Sequence, residues 1–335
     1  MDLPHMENLV RSVETSVTFP LSSVKPLEDF RIYREYCIDV TREVLTEGGR
    51  SRTVCPACEA DSEAFGVVDR FLYQRCSGCG TLFLGAVAND PEWYDLLKSV
   101  CERRNSSSTF DSRVERSRIE NVYAPKKEWI ENTLRLHGIH EANVLEAVSG
   151  ESPFTSILEK GAFCKVSCVG ERELVSAADP TVPRTENEPD LWDVVVMLES
   201  LDRSTDPATM LGEVAARVRT GGLIFVTALV ASGFDIVNLG LRNMYLHPPD
   251  RTNCFSMAGL ERLLERTGYS PVEISTPGVL DVEIVNAHRR LEEITLSPFE
   301  TALLDSDQDT REAFQIFLQQ NRMSSFARVV ARRSS

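Results

Sequence analysis

Asn143–Phe154 reads NVLEAVSGESPF, and the reading of this stretch decides the fold. Val144, Leu145, Ala147 and Val148 form a short apolar run interrupted only by Glu146, the pattern of an inner parallel strand buried on both faces. Ser149-Gly150 then turns the chain, and Pro153 suits the first turn of a following helix, where its missing N–H costs nothing. Strand, sharp turn and helix start in that order mark a crossover of a doubly wound α/β sheet. Ligands in such sheets sit beyond the carboxyl ends of the strands. A glycine in the turn lets the backbone come close to them.

Downstream, the pattern repeats. A helix is expected over 154–160, then a second strand over 164–169 that ends in Gly170-Glu171. Glu171 lies twenty-one residues past Gly150, the spacing at which a carboxylate takes ribose hydroxyls, although a solvated loop glutamate reads the same way. Residues 172–192 are rich in Pro, Asp and Glu and too few for a further helix and strand, so a shortened wall on that side of the crevice is expected. DVVVML, residues 193–198, is a third buried strand, followed by Glu199, Asp202-Arg203 and a helix over 208–218. Thr220-Gly221-Gly222 reads as the cap of that helix and 223–228 as the next strand. Later strands are expected at 272–275 and 282–285. Residues 311–320 read as a helix and 327–331 as a last strand at the sheet edge.

Upstream, Leu27–Leu45 has apolar residues at helical spacing, ended by Gly48-Gly49. Cys55-Pro-Ala-Cys58 and Cys76-Ser-Gly-Cys79 then form two C-x2-C pairs with seventeen residues between them. Each pair makes a knuckle that offers two thiolates, and the matched pair fits one tetrahedral structural zinc. A redox dithiol, chance cysteines, or iron in the same sulfur set are the competing readings. Four thiolates leave no open coordination position, so the metal is expected to hold structure. Helices are expected over 90–100 and 112–136, with Trp129, Ile130 and Leu134 on one side of the latter, and a polar loop at 105–109 between them.

The 335 residues, 42% of them hydrophobic, allow two or three domains with a sizeable core. A net charge of −15 argues against nucleic acid or an anionic membrane as partner, and the cysteine segment has only Arg70 and Arg75 between its outer cysteines. No apolar run reaches the length of a membrane span. The start, MDLPHMENLV, lacks the features of a secretory signal, and nine cysteines without one point to reduced thiols and a cytoplasmic protein. Cys37, Cys101, Cys164, Cys168 and Cys254 read as small buried hydrophobes.

Residues 143–154 resemble motif I of class I S-adenosylmethionine (SAM)-dependent methyltransferases. In that motif an acidic residue precedes three glycines at alternate positions. Glu146 matches the acidic position and Gly150 the middle glycine, while Val148 and Ser152 stand where the outer two belong. WDVVVMLESLDRSTDPATMLGEVAARVRTGGLIFVTA, residues 192–228, resembles the motif IV to motif VI region. Blocks at 232–240, 247–256, 259–285 and 315–333 resemble a subset with an N-terminal four-cysteine ribbon that accompanies sugar and polysaccharide pathways. In this chain Asp202-Arg203 replaces a Glu-His pair of the family. Arg251 and Phe326 also stand where the family tends to have histidines.

The resemblance implies a Rossmann-like α/β domain with a mostly parallel sheet, preceded by a small zinc ribbon. It implies SAM held by Glu146, Ser149, Gly150, Glu171 and Leu198, and metal held by Cys55, Cys58, Cys76 and Cys79. Expected segments are helical over 1–50, a ribbon with its helix over 51–105, the Rossmann-like domain over 110–295 and a closing helix and strand over 296–335. Glu199, Asp202 and Arg251 read either as an acceptor site or as a solvated strand end and an exposed loop. Two functions follow. One is methyl transfer from SAM to a small molecule such as an activated sugar. The other is a catalytically silent pseudo-methyltransferase that serves as a binding or assembly partner.

Overall fold

The computed structural model describes residues 16–106, 108–148, 152–170 and 191–334. The chain opens with α1 (Leu21–Val24) and the long α2 (Leu27–Gly48), whose first turn carries Glu28 and Asp29 against its exposed N–H groups. The cysteine segment forms β1 (Arg50–Ser51), β2 (Ser62–Val68), β3 (Phe71–Cys76), β4 (Leu82–Leu84) and β5 (Ala86–Val87). Then come α3 (Asp90–Asn105), α4 (Ser112–Arg118), one π-helical turn (Ile119–Tyr123) and α5 (Ala124–Leu136). The helix expected over 112–136 is thus interrupted. Asp111 caps its start by accepting the N–H groups of Arg113 and Val114, and the wide turn lets Pro125 enter a fresh first turn.

The α/β part runs through β6 (Asn143–Val148), α6 (Thr155–Leu158), β7 (Lys165–Gly170), β8 (Trp192–Leu198), α7 (Ser200–Arg203), α8 (Pro207–Arg217) and β9 (Val218–Leu229). It continues with α9 (Phe234–Leu239), β10 (Asn253–Cys254), α10 (Met257–Arg266), β11 (Tyr269–Ser275), α11 (Asp281–His288), α12 (Pro298–Asp305), α13 (Gln308–Gln320) and β12 (Phe326–Arg333). The main sheet has the order β11-β12-β9-β8-β6-β7. Strands β7, β6, β8 and β9 are mutually parallel, and β12 lies antiparallel to both neighbours. This is the Rossmann-like α/β fold with a mostly parallel sheet expected from the sequence.

Three local expectations are corrected. Residues 282–285 belong to α11. A short β-branched run has no decisive period, and here Val282 and Val285 pack into the core while the Asp281 carboxylate accepts the Ser325 N–H at 2.6 Å. The last strand is not at the edge: β12 sits between β9 and β11, with Ala327, Val329, Val330 and Ala331 at most 1% exposed. Gly221-Gly222 does not cap α8 but lies inside β9. Between the pairs Trp192–Val218 and Val194–Leu223 the register shifts, and Gly221 at φ +77° takes up the bend. A Cβ on Gly222 would fall 2.9 Å from the Asp193 carbonyl oxygen, so no larger residue fits there.

The cysteine segment is built into this body. β10, from the α/β part, adds to its sheet in the order β10-β4-β3-β2. Trp93 of α3 is fully buried and its indole N–H donates to the Arg203 carbonyl at 2.9 Å, tying the helix after the ribbon to α7. Of the scattered cysteines, Cys37 and Cys254 are buried as expected and Cys101 is half-buried. Cys164 and Cys168 are exposed beside the edge strand β7. Among the described residues no helix is long and apolar enough to cross a membrane.

Candidate functional site

The Sγ atoms of Cys55, Cys58, Cys76 and Cys79 all lie within 4.8 Å of one another. The Cys55–Cys79 and Cys58–Cys76 separations are 3.7 and 3.4 Å. Backbone N–H groups point at the sulfurs: Ala57 donates to Cys55 at 3.4 Å, and Gly78 and Cys79 both donate to Cys76 at 3.3 Å. Such donors stabilise thiolates, so the set fits one tetrahedral thiophilic ion closed to solvent ligands. Gly80, at φ +80°, makes the tight turn after the second knuckle. Helix α10 lies directly on the cluster. A Cβ on Gly259 would fall 2.3 Å from Thr81 Oγ1, and Arg262 and Arg266 donate to the carbonyls of Gly78, Pro56 and Ala57.

At the end of β6, Glu146 is 1% exposed and accepts hydrogen bonds from Ser152 Oγ at 2.6 Å and from Thr155 Oγ1. Ser152 Oγ also accepts the Phe154 N–H at 3.1 Å. Burial pushes the Glu146 carboxyl up, and the two hydroxyls work against that. The serine at the third glycine position therefore braces the start of α6 to the strand. Replacing it by alanine removes one hydrogen bond to a buried carboxyl and one cap. Ser152→Ala is expected to cost about 1.5–3 kcal/mol, read as a lower urea midpoint at unchanged slope. Val148, at the first glycine position, is buried and pairs with Gly170 of β7. Leu198 is half-buried at the end of β8. Ser149, Gly150 and Glu171, also assigned from the sequence, lie outside the described residues, as does most of the 172–192 segment.

Immediately after Leu198 the chain enters a charge network that the sequence did not reveal. Glu199 adopts φ +58°, its N–H donating to the Thr227 carbonyl at 2.9 Å, which turns its carboxylate inward. That carboxylate receives Arg251 Nη2 at 2.6 Å, Lys126 Nζ at 3.5 Å and Arg203 Nη2 at 3.8 Å. Arg251 Nη1 also meets Asp202 at 3.2 Å, and Asp202 accepts the Leu229 N–H at 2.9 Å. Asp250 takes Arg203 Nε at 2.9 Å, Arg104 Nη1 at 3.9 Å and the Tyr33 hydroxyl at 2.9 Å. Two buried atoms, Asp202 Oδ1 and Arg251 Nε, have no hydrogen-bond partner among the described residues.

The alternative in which Glu199, Asp202 and Arg251 are a solvated strand end and an exposed loop is overturned. Their side chains are 16%, 0% and 11% exposed. The short helix α7 folds Asp202 and Arg203 back under the strand ends, and the 247–251 loop lays Arg251 across them. Three of the positions at which the chain departs from the pattern that it resembles also converge: Arg203 and Arg251 both reach Glu199, and the Phe326 ring lies 5.0 Å from Lys126 Nζ. Burial works to raise the Glu199 carboxyl, but Arg251, Lys126 and Arg203 overcome it and hold the group well below the usual range. Burial pushes Asp202 up to about 7 against the opposing Arg251. It also brings Lys126 down to about 8, an effect partly offset by Glu199.

Lys25, at the end of α1, completes the group with Arg118 of α4. Lys25 Nζ lies 4.1 Å from the Tyr245 ring centre, and Arg118 stacks on Phe110 while donating to the Val24 carbonyl at 2.9 Å. Among the described residues, Lys25, Arg104, Arg118, Lys126, Arg203 and Arg251 thus gather around Glu199, Asp202 and Asp250, in a chain of net charge −15. Sequence reasoning missed Lys25, Tyr33, Arg104, Arg118, Lys126 and Asp250. They come from six separate segments with no shared spacing to signal them.

Residues 120–274 match the family model described as Methyltransferase domain. No curated protein is similar to the chain in sequence at a significant level. Among solved structures, the chain is similar to the Burkholderia thailandensis 1,6-didemethyltoxoflavin-N1-methyltransferase with bound 1,6-didemethyltoxoflavin and S-adenosylhomocysteine. That likeness has 12% identity and a TM-score of 0.40, covering 82% of this chain and 100% of the other. It is also similar to a geranyl diphosphate methyltransferase in complex with SAM, at 17% identity and a TM-score of 0.36, over 67% and 92% of the two chains. The [4+2]-cyclase SpnF gives 12% identity and a TM-score of 0.34, over 62% and 80%. Residues 120–274 are thus similar in sequence to a methyltransferase domain, and the sheet that they share has the Rossmann-like α/β topology.

Proposed function

We propose that the chain transfers a methyl group from SAM to a small anionic acceptor such as an activated sugar, with zinc in its four-cysteine cluster. The observation that carries this reading is the gathering of four arginines and two lysines around three carboxylates at the carboxyl end of β8. Surplus positive charge in a partly desolvated crevice is compensated best by a bound anion, because Coulomb attraction there is far less screened than in water. Bound SAM supplies an electrophilic methyl on a positively charged sulfur. The apolar ends of β6 and β8, Val148 and Leu198, beside the side-chain-free Gly170, fit its adenosine part. Glu146 would brace the turn of Ser149 and Gly150, Glu171 would take the ribose, and the cation cluster would hold and orient the acceptor.

One observation favours the second reading, a silent domain that binds a protein partner. Both Glu146 oxygens are already committed to Ser152 and Thr155, and Val148 fills the first glycine position. Calorimetric titration of the zinc-loaded protein with SAM and S-adenosylhomocysteine separates the two. Micromolar binding at one site per chain is expected. No heat and no thermal shift at millimolar ligand would sink the enzyme and leave the silent domain.

A further inference from the structure

We infer that Asp235 and Asp281 form a carboxyl pair that shares one proton across Ser325 and works as a latch. The pair locks the joint of α9, α11 and β12 beside the charge network, and releases it when the second charge forms. The latch belongs to the fold, so a methyltransferase and a silent domain would both carry it.

Asp235 and Asp281 are 1% and 2% exposed. Asp281, at the start of α11, accepts the Ser325 N–H and the Ser324 hydroxyl, both at 2.6 Å, and the Gln315 side-chain amide at 2.9 Å, so both of its oxygens are served. Asp235 accepts Asn243 Nδ2 at 2.8 Å and bonds to the Ser325 side chain, while its buried Oδ1 has no hydrogen-bond partner among the described residues. The backbone independently brings the two segments together. The N–H groups of Val230 and Phe234 donate to the carbonyls of Ser325 and Met323 at 2.7 and 2.9 Å, and a Cβ on Gly233 would fall 2.1 Å from Ser325 Cα. The joint also touches the charge network at two points. Phe326, the next residue, faces Lys126, and Asn243 accepts the N–H of Tyr245, whose ring carries Lys25.

Every hydrogen-bond partner that the two carboxyls have among the described residues is neutral. Two buried like charges with no cation between them repel strongly, so the pair holds one charge and one proton. The charge sits on Asp281, where three donors and the N-terminus of α11 meet it. The proton sits on Asp235, where an ionised Oδ1 would be left bare. The titratable groups facing Asp235 are Asp281 from α11, Tyr245 from the chain after α9 and Cys254 from β10. Burial raises the last two, so both stay uncharged at neutral pH. Burial first, then Asp281, bring the Asp235 carboxyl up to about 7 against the bonds from Ser325 and Asn243. The folded chain therefore keeps a proton that the unfolded chain gives up near pH 4, and stability is lost as pH rises from about 4 to 7.

The test sets the full, zinc-loaded chain against Asp235→Asn, which keeps the shape and the neutral state. Asp202 titrates in the same range in both proteins, so their difference isolates Asp235. Between about pH 5 and 7 the unfolding constant of the wild type in urea is expected to rise about tenfold per pH unit relative to the variant, and to run parallel to it at higher pH. Amide exchange should localise the loss. The N–H groups of Val230, Phe234 and Ser325 should lose protection by the same factor, referred to the variant at each pH. Carbon-13 NMR of labelled aspartate carboxyls should show one signal, missing from Asp235→Asn, that titrates near neutrality. Asp281→Asn removes the neighbouring charge and should move that signal down by about one pH unit or more, which identifies it even where Asp235→Asn folds poorly. A flat ratio between about pH 5 and 7, an Asp235 signal that titrates below about pH 5, or one unmoved by Asp281→Asn overturns the shared proton. Exchange that responds elsewhere, or not at all, overturns the latch.

Discussion

Removing the metal from the four thiolates, by a strong chelator under reducing conditions or by Cys76→Ser, is expected to melt far more than the ribbon. Cys55 and Cys76 are 1% and 2% exposed and belong to the same apolar cluster as Phe83, Leu260, Leu263 and Val195. β10 pairs with β4, and Arg262 and Arg266 bond to the knuckle carbonyls. Without an ion, four sulfurs within 4.8 Å of one another repel as thiolates or crowd as thiols. Structural zinc contributes about 10–16 kcal/mol in small peptides, so even a loss of about 5 kcal/mol would lower the melting temperature by about 7 °C. Calorimetry before and after chelation, with one equivalent of zinc added back, reads this directly. An unchanged melting curve from a chain that purifies without metal would refute the closed metal centre.

Glu199→Gln is the second large effect. The substitution keeps shape and removes one charge from beneath Arg251, Lys126 and Arg203. Breaking one partner of a buried ion network leaves uncompensated charge, and about 3–5 kcal/mol of stability is expected to be lost at neutral pH. The pH dependence has a definite sign. The Glu199 and Asp250 carboxyls are held below their ordinary range, so the folded state binds fewer protons there than the unfolded chain. Their contribution is complete above about pH 4–5 and disappears as acid titrates the folded groups. Asp202, pushed up to about 7, acts oppositely and withdraws stability as pH rises from about 4 to 7. The wild-type minus Glu199→Gln difference in urea midpoint should therefore be wide at pH 7 and shrink in acid. A difference below about 0.5 kcal/mol at pH 7 would mean that water screens the network.

The sheet was legible because its inner strands are short apolar runs. DVVVML and NVLEAV announce burial on both faces, and each is followed by a turn and a helix. The cysteine cluster was legible because ligand chemistry forces a spacing. What stayed hidden is long-range. VEIV at 282–285 carries the same composition as a strand, and only the seat of Asp281 under Ser325 and the packing of α11 make it helical. The ionic site was the hardest to see. Glu199 and Asp202 look like ordinary polar residues after a strand until Arg251, forty-nine residues beyond Asp202, and Lys126, well before it, are folded onto them. Arg203, Arg251 and Phe326 were visible in the sequence as separate oddities, and space alone shows that they gather around Glu199 and Lys126.

The place of β12 constrains how the molecule is made. Its two neighbours, β9 and β11, are complete by residue 275, yet they hydrogen-bond to β12 and not to each other. During synthesis both therefore wait with open edges until residues 326–333 have left the ribosome, and β11 has no place in the sheet before then. Assembly of this half of the sheet is a late event, and a nascent chain stalled between residues 275 and 326 carries two unsatisfied strands that other chains can bind.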